Sequence, residues 1–235
     1  MALLSGGLDS TVATALAART APVVRALTID YGQRAAAREL EAARAIAAAL
    51  GIPHQVVHLP FLGELGRNAL TQHSLEVPRT RPEELEGAQA LARAERVWVP
   101  NRNGVMLAVA AALAEGLGAG CVIMGFNREE AQTFPDNSYE FLLAARAALR
   151  YSTRGRVTLQ SPTVGMDKAE LLEAGRRAGA PLAHIWVCYL GEEEHCGQCE
   201  SCQRLVRALE RAGARAWWEA ERRQVRRLPG VPSAG

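Results

Sequence analysis

Lysine is almost missing from this chain. Of its 27 lysine and arginine residues only Lys168 is a lysine, and the other 26 are arginines. An ammonium is a compact point charge that a guanidinium cannot replace in a tight space, so the one lysine marks a position to watch. Aromatic residues are also sparse at 5%, which leaves the core to aliphatic side chains. No run of about 20 apolar residues is free of charge, which argues against a membrane-spanning helix. Met1-Ala2-Leu3-Leu4 leads straight into Ser5-Gly6-Gly7 with no basic stretch and no apolar signal segment. The expected setting is therefore cytoplasmic. Charge of one sign is not in excess either: 27 basic against 25 acidic residues give a net charge of +2. That balance argues against a broad nucleic-acid surface. Two familiar phosphate motifs are missing as well, since the chain has no Gly-Lys-Ser/Thr after a glycine loop and no Gly-x-Gly-x-x-Gly.

What is present reads as a globular protein of 235 residues, 49% hydrophobic and 22% charged. At roughly 100–200 residues per domain this allows one domain with an appended module. Short apolar runs at 1–4, 22–29, 54–58, 121–124 and 156–160 predict strands buried on both faces. Alanine-rich stretches at 10–19, 33–50, 104–115, 136–149, 167–178 and 200–212 predict helices. Gly51 and Pro53 form a stop signal for the second of them. Strand alternating with helix predicts an α/β fold with a parallel sheet and right-handed crossovers. The segment 60–100 carries Pro, Gly and charge without a clear strand, and predicts an excursion of short helices over the active site. The end of the chain, 226–235, predicts a frayed tail. No internal repeat is visible.

The run Ser5-Gly6-Gly7-Leu8-Asp9-Ser10-Thr11 falls between the first strand and the first helix. Its glycines let the backbone turn tightly, the helix adds its positive end, and three hydroxyls add donors. Such a loop is a nest for a phosphate-like anion. Asp9 cannot donate to phosphate when ionised, so it either caps the helix or faces a Mg²⁺ ion. The second strand ends in Asp30-Tyr31-Gly32-Gln33-Arg34, where open α/β sheets place their ligands. An equal alternative is a strand-to-helix turn with Asp30 as cap.

Four of the five cysteines crowd together as Cys188, Cys196, Cys199 and Cys202. In a cytosolic chain that spacing suits a closed tetrahedral Zn²⁺ site, with a Cys₄ iron–sulfur cluster as the rival. His195 is read as a bystander beside Cys196, and Cys121 stands apart.

The loop at Ser5–Thr11 resembles the pyrophosphate loop of the N-type ATP pyrophosphatases, which activate a substrate oxygen with ATP. With Asp30-Tyr31-Gly32-Gln33-Arg34 and the four cysteines, the chain is similar to the 7-cyano-7-deazaguanine synthase (QueC/ExsB) family of the queuosine pathway. Further matches are Val99-Pro100-Asn101-Arg102-Asn103, Ile123-Met124-Gly125, Phe134-Pro135-Asp136, Asp167-Lys168-Ala169-Glu170 and Cys188-Tyr189-Leu190-Gly191. They span Ser5 to Cys202, nearly the whole chain.

The resemblance implies a three-layer, Rossmann-like adenine-nucleotide α-hydrolase fold. It would comprise an ATP-binding domain at 1–183, a Cys₄ zinc module at 184–212, and a helix and tail at 213–235. It implies an ATP-dependent carbon–nitrogen ligase that turns 7-carboxy-7-deazaguanine and ammonia into the nitrile through an activated carboxylate and an amide. A related enzyme modifying a different acceptor, such as a tRNA base or another carboxylate, is the alternative.

The implied nucleotide site comprises Leu4, Ser5, Gly6, Gly7, Leu8, Asp9, Ser10, Thr11, Val12, Ala13 and Thr14, with Asp30, Tyr31, Gly32 and Gln33. Asp9, Arg102 and Lys168 are the implied catalytic groups, and Asn127, Phe134 and Asp136 the implied substrate contacts. Asp136 could accept two hydrogen bonds from a guanine-like edge; its alternative is a helix cap after Pro135. The implied cofactors are ATP, Mg²⁺ and Zn²⁺, and the implied assembly is a homodimer acting on small molecules. The sequence departs from the family in two places. Pro-Gly-Arg-Asn is Pro100-Asn101-Arg102-Asn103 here, and the usual Ser-Gly-Tyr-Pro-Asp-Cys is replaced within 129–137.

Overall fold

A computed structural model describes residues 1–226. The predicted tail at 226–235 lies almost wholly outside the described residues. Five short strands form one parallel sheet: β1 (Ala2–Leu3), β2 (Ala26–Asp30), β3 (His54–His58), β4 (Cys121–Ile123) and β5 (Thr158–Gln160). Their order is β3-β2-β1-β4-β5. The chain first runs outward from β1 to β3, then jumps back across β1 to β4 and β5. With right-handed crossovers this reversal covers the two faces of the sheet with different helices. It also opens a crevice where β1 and β4 diverge at their carboxyl ends.

The helices of the α/β unit are α1 (Leu8–Ala18), α2 (Ala36–Ala49), α3 (Pro60–Glu64), α4 (Gly87–Val97), α5 (Arg102–Gly116), α6 (Tyr139–Ser152) and α7 (Lys168–Ala178). After the cysteine loop come α8 (Glu200–Arg211) and α9 (Arg215–Arg226). The central strands are buried apart from Asp30 and Cys121 at their ends, with Ala2, Ala26, Leu27 and Val122 at 0% exposure. This is why they read as continuous apolar runs rather than alternating ones. Among the described residues no helix is long and apolar enough to cross a membrane.

Several predicted boundaries move: the helices expected from residues 10 and 33 begin at Leu8 and Ala36, and the strand expected from residue 156 begins at Thr158. The strand expected from residue 22 begins at Ala26, because β1 is only two residues long and its register pairs Ala2 with Ala26. The helix expected from residue 136 begins at Tyr139, because the Ser138 hydroxyl accepts the Phe141 N–H at 3.0 Å and Pro135–Asn137 form a separate 3-10 turn. Asp136 is therefore not the cap. The excursion at 60–100 does hold short helices: α3, a 3-10 turn at Pro82–Glu84, and α4. It is tied to the cysteine loop, since Thr80 N donates to Gln198 O at 2.8 Å and Arg79 bridges Cys199.

Candidate active site

The loop after β1 builds the floor of a cavity of about 230 Å³ at the switch point. Gly6 has φ +82, and a Cβ there would lie 2.7 Å from Glu39 O and 2.9 Å from the Ala42 Cβ. Only glycine lets the loop press so closely on α2. Gly125, just past β4, is required for a second close approach, because its Cβ would meet the Asp9 carbonyl carbon and Ser10 N at 2.6 Å. The loop is braced internally: Ser5 Oγ lies 3.0 Å from Ser10 Oγ, and Ser5 N donates to Ser10 Oγ at 3.2 Å. Trp186 N holds Gly6 O from the other side at 2.9 Å. Gly7 caps α1 without a side chain, and no side-chain hydrogen bond closes that helix end. The first N–H groups of α1 are thus presented to an anion.

Asp9 is not a helix cap. Its Oδ2 accepts from Lys168 Nζ at 2.6 Å, and its buried Oδ1 has no partner. Lys168, 5% exposed, also meets Glu130 Oε1 at 2.6 Å. Burial works against its charge, but Asp9 and Glu130 outweigh it and hold the ammonium protonated. Burial pushes the Asp9 carboxyl up to about 6, against the lowering pull of Lys168. An orphaned carboxylate oxygen beside an anion nest is the donor that a divalent cation such as Mg²⁺ would use.

Arg102 stands on the opposite wall at the start of α5. Its guanidinium donates to the Tyr31 hydroxyl at 3.3 Å and lies 5.9 Å from that ring. Burial opposes its charge, yet Tyr31 and Asp136 keep it protonated. The preceding Asn101 has φ +50. Asn is among the few non-glycine residues that visit this region.

Arg102, Glu130, Asn137, Tyr189 and Ser201 are shared with a second hollow of about 120 Å³. Trp98 and Phe134 line that hollow with nearly parallel rings, 6.4 Å apart and 9° from coplanar. Near-parallel aromatic rings of this kind offer faces on which a planar base can stack. Asp136 is at the same hollow, its carboxyl raised by burial and lowered by Arg102.

Several expected residues are not brought to the cavity. Thr11 Oγ1 donates back to Gly7 O and Thr14 Oγ1 to Ser10 O, both at 2.7 Å, so their hydroxyls brace α1. Val12 and Ala13 are buried in the core. Asp30 binds Gly32 N and His58, and Gln33 links Tyr31 N to Glu39; neither lines the cavity. Gly32 is likewise outside it, while Gly6 backs the loop from behind. Asn127 is fully buried and positions the turn by accepting Glu130 N at 2.8 Å. Leu4, Ser5, Gly7, Leu8, Ser10 and Tyr31 do line the cavity.

The sequence reading missed Glu39, Trp186, Val187 and Ser201, which also face it. For three of them the only signal was proximity to recognised features: Trp186 and Val187 precede Cys188, and Ser201 lies between two cysteines; Glu39 carried none.

The four sulfurs of Cys188, Cys196, Cys199 and Cys202 lie within 4.8 Å of one another, with Cys196 and Cys202 3.9 Å apart. Tetrahedral thiolates at about 2.3 Å from a metal are about 3.8 Å apart, so the set fits one metal ion such as zinc. Leu190 N and Cys196 N point at the Cys188 sulfur at 3.3 and 3.4 Å, and Cys199 N at the Cys196 sulfur at 3.3 Å. Such N–H contacts orient and stabilise thiolates. His195 is outside the cluster: its Nε2 accepts from Val187 N at 3.4 Å.

A 3-2-1-4-5 parallel sheet with an anion nest at its switch point defines a nucleotide-binding α/β protein. Residues 1–213 match the family described as queuosine biosynthesis protein QueC, and the chain belongs to that family. It is 52% identical over 214 residues to a 7-cyano-7-deazaguanine synthase from Desulforudis audaxviator, covering 90% of this chain and 96% of that one. The protein of the same name from Pelotomaculum thermopropionicum is 49% identical over 212 residues, again covering 90% and 96%. One from Methanosarcina barkeri is 44% identical over 217 residues, covering 91% and 94%. An NMN synthetase from Francisella tularensis matches at TM-score 0.45 and 18% identity over 98% of this chain and 87% of that one, too loosely to bear on the reading.

Proposed function

We propose that the protein is the ATP-dependent ligase that converts 7-carboxy-7-deazaguanine and ammonia into 7-cyano-7-deazaguanine. The observation that carries this reading is the juxtaposition of two subsites. An anion nest with Lys168 and Asp9 opens directly into a hollow walled by Trp98, Phe134 and Asp136, and Arg102 belongs to both.

The base stacks on the Trp98 and Phe134 rings, and Asp136 takes its N–H edge. The carboxylate then points at the nest. ATP activates one carboxylate oxygen; ammonia attacks the carbon, and that oxygen departs with the activating group to leave the amide. A second ATP activates the amide oxygen, and its departure with loss of two N–H protons leaves the nitrile. Oxide and hydroxide are poor leaving groups, which is why activation is needed. Lys168 and Arg102 stabilise negative charge on the phosphates and leaving group, and the α1 N–H groups bind phosphate oxygens. Asp9 Oδ1 would hold Mg²⁺, which supplies charge neutralisation at the phosphates. The same reading carries Zn²⁺ at the four cysteines, a homodimer, a cytoplasmic setting and a division of the chain near residue 183, for which metal analysis, gel filtration, cell fractionation and limited proteolysis are the checks.

The test is incubation of the protein with Mg-ATP, ammonium and 7-carboxy-7-deazaguanine, following the base by mass spectrometry. Formation of the nitrile is the expected result. An unchanged base with ATP bound would overturn the choice of acceptor and leave the nucleotide reading standing.

A further inference from the structure

The single lysine is gripped at both ends by consecutive residues. Glu130 Oε1 meets its Nζ at 2.6 Å, and Glu129 Oε2 accepts its backbone N–H at 3.3 Å. The second contact has a clear purpose. Lys168 opens α7, and the first N–H groups of a helix lack partners within it. Asp167 Oδ1 accepts from Ala169 N and Glu170 N at 2.9 Å each, and Glu129 takes the remaining one. The turn carrying both glutamates is docked on the same strand of chain, with Arg128 N donating to Met166 O at 2.9 Å.

Glu129 is itself held from α8. Arg204, 2% exposed, donates to Glu129 Oε1 at 2.8 Å and to Glu200 Oε1 at 2.6 Å, and reaches Leu85 O at 3.4 Å. Arg207 adds a second bond to Glu129 Oε1 at 2.6 Å. Burial drives the Glu129 carboxyl up, but the two arginines outweigh it and keep it ionised. A buried guanidinium with two buried carboxylates is costly to assemble and contributes little net stability over an apolar core. The bonds it makes to Glu129, which in turn accepts the Lys168 N–H, point to placement instead.

We propose that Arg204 is a positioning residue for Lys168. From the cysteine-bearing helix it fixes Glu129, which fixes the first turn of α7 and so the height at which the Lys168 ammonium meets Asp9. As an activity statement this rests on the ligase reading; as a statement about Lys168 it does not.

The lone lysine supplies the test. Protein labelled with ¹⁵N-lysine gives one backbone amide resonance, that of Lys168. In Arg204→Gln this N–H is expected to shift and to exchange with solvent at least about tenfold faster. The kcat for nitrile formation is expected to fall about tenfold or more, with the KM for ATP within about threefold, because a misplacement near 1 Å is felt in the transition state. Arg204→Lys should recover part of kcat. If Arg204→Gln does not fold, Glu129→Gln keeps the single lysine and is expected to give the same amide response. A purely structural role would lower the melting temperature and leave the Lys168 exchange and the kcat per nucleotide-binding site unchanged, and that result overturns the proposal. A wild-type protein that makes no nitrile sinks the ligase reading instead, and the amide measurement still decides the role of Arg204.

Discussion

The loop before α1 and the loop before α8 have the same outline: a short run rich in glycine or cysteine that ends in a helix. They get their shape from opposite sources. Residues 5–7 are clamped between β1, α2 and the backbone of Trp186, so the nest is formed without any ligand. Residues 188–199 contain no helix; they are tied to the excursion by the bridge to Arg79 and by Thr80 N donating to Gln198 O, and the sulfurs of Cys188, Cys196 and Cys199 converge there with that of Cys202 on α8. The first loop is therefore preorganised by the sheet, and the second is arranged around four thiols that could hold a metal ion. Yet Ser201 and Leu205 of α8 line the cavity, so the cysteine-bearing helix completes the site that the sheet begins.

Metal removal should divide the two most sharply. Structural zinc in such sites is worth on the order of 10 kcal/mol, more than enough to hold the cysteine loop. A chelator is expected to abolish turnover while far-UV circular dichroism retains most of the helix signal and nucleotide still binds. Complete unfolding in one step would mean that the sheet cannot hold the nest alone.

Lys168→Met attacks the contact between the regions. It leaves Asp9 and Glu130 as partly buried carboxylates without their counter-ion. Losing one partner of a buried pair costs about 3–5 kcal/mol, and losing a positioned charge at the phosphates about 10²–10³ in kcat. Steady-state kinetics beside thermal melts read both. Lys168→Arg is not expected to rescue, since a planar guanidinium does not fit between two carboxylates at 2.6 Å.

Gly6→Ala confines the damage to the nest. A left-handed backbone and a methyl 2.7 Å from Glu39 O should together cost about 2–3 kcal/mol. The KM for ATP should rise, and bound metal at the cysteines, measured by atomic absorption, should be unchanged.

Much of this was legible in the sequence because it is local. The nest, the cysteine cluster and the alternation of strand and helix each lie within a short window, and each strand and helix appears close to its expected place. What was hidden depends on contacts between distant residues. The sequence places Thr11 among the hydroxyl donors and Thr14 in the nucleotide site, yet both hydroxyls are bonded to the preceding turn of α1. Glu129 looked like part of an altered substrate loop, and its partners Arg204 and Arg207 lie more than 70 positions away. Trp98 faces Phe134 only because the excursion at 60–100 folds back over the sheet. No periodicity encodes such pairings.

The smallest expected effect sharpens the link that joins the two regions. Glu129 has a carboxyl held below the ordinary 4.5, with burial outweighed by Arg207 and Arg204. A carboxylate whose folded pKa is depressed binds fewer protons folded than unfolded. It therefore adds stability at pH values above about 4.5 and loses it as the pH falls through its lowered folded value. Glu129→Gln removes this term and should flatten the acid side of the stability profile. Thermal melts from pH 3 to 7 should show the gap between wild type and variant widest near neutrality and narrowing below about pH 4.5. Only one charge is removed and the side chain keeps its shape, so the loss of stability should be modest beside that of Lys168→Met. A constant gap at every pH would mean that Glu129 acts only through its shape and that the α8 arginines contribute no charge-dependent hold on α7.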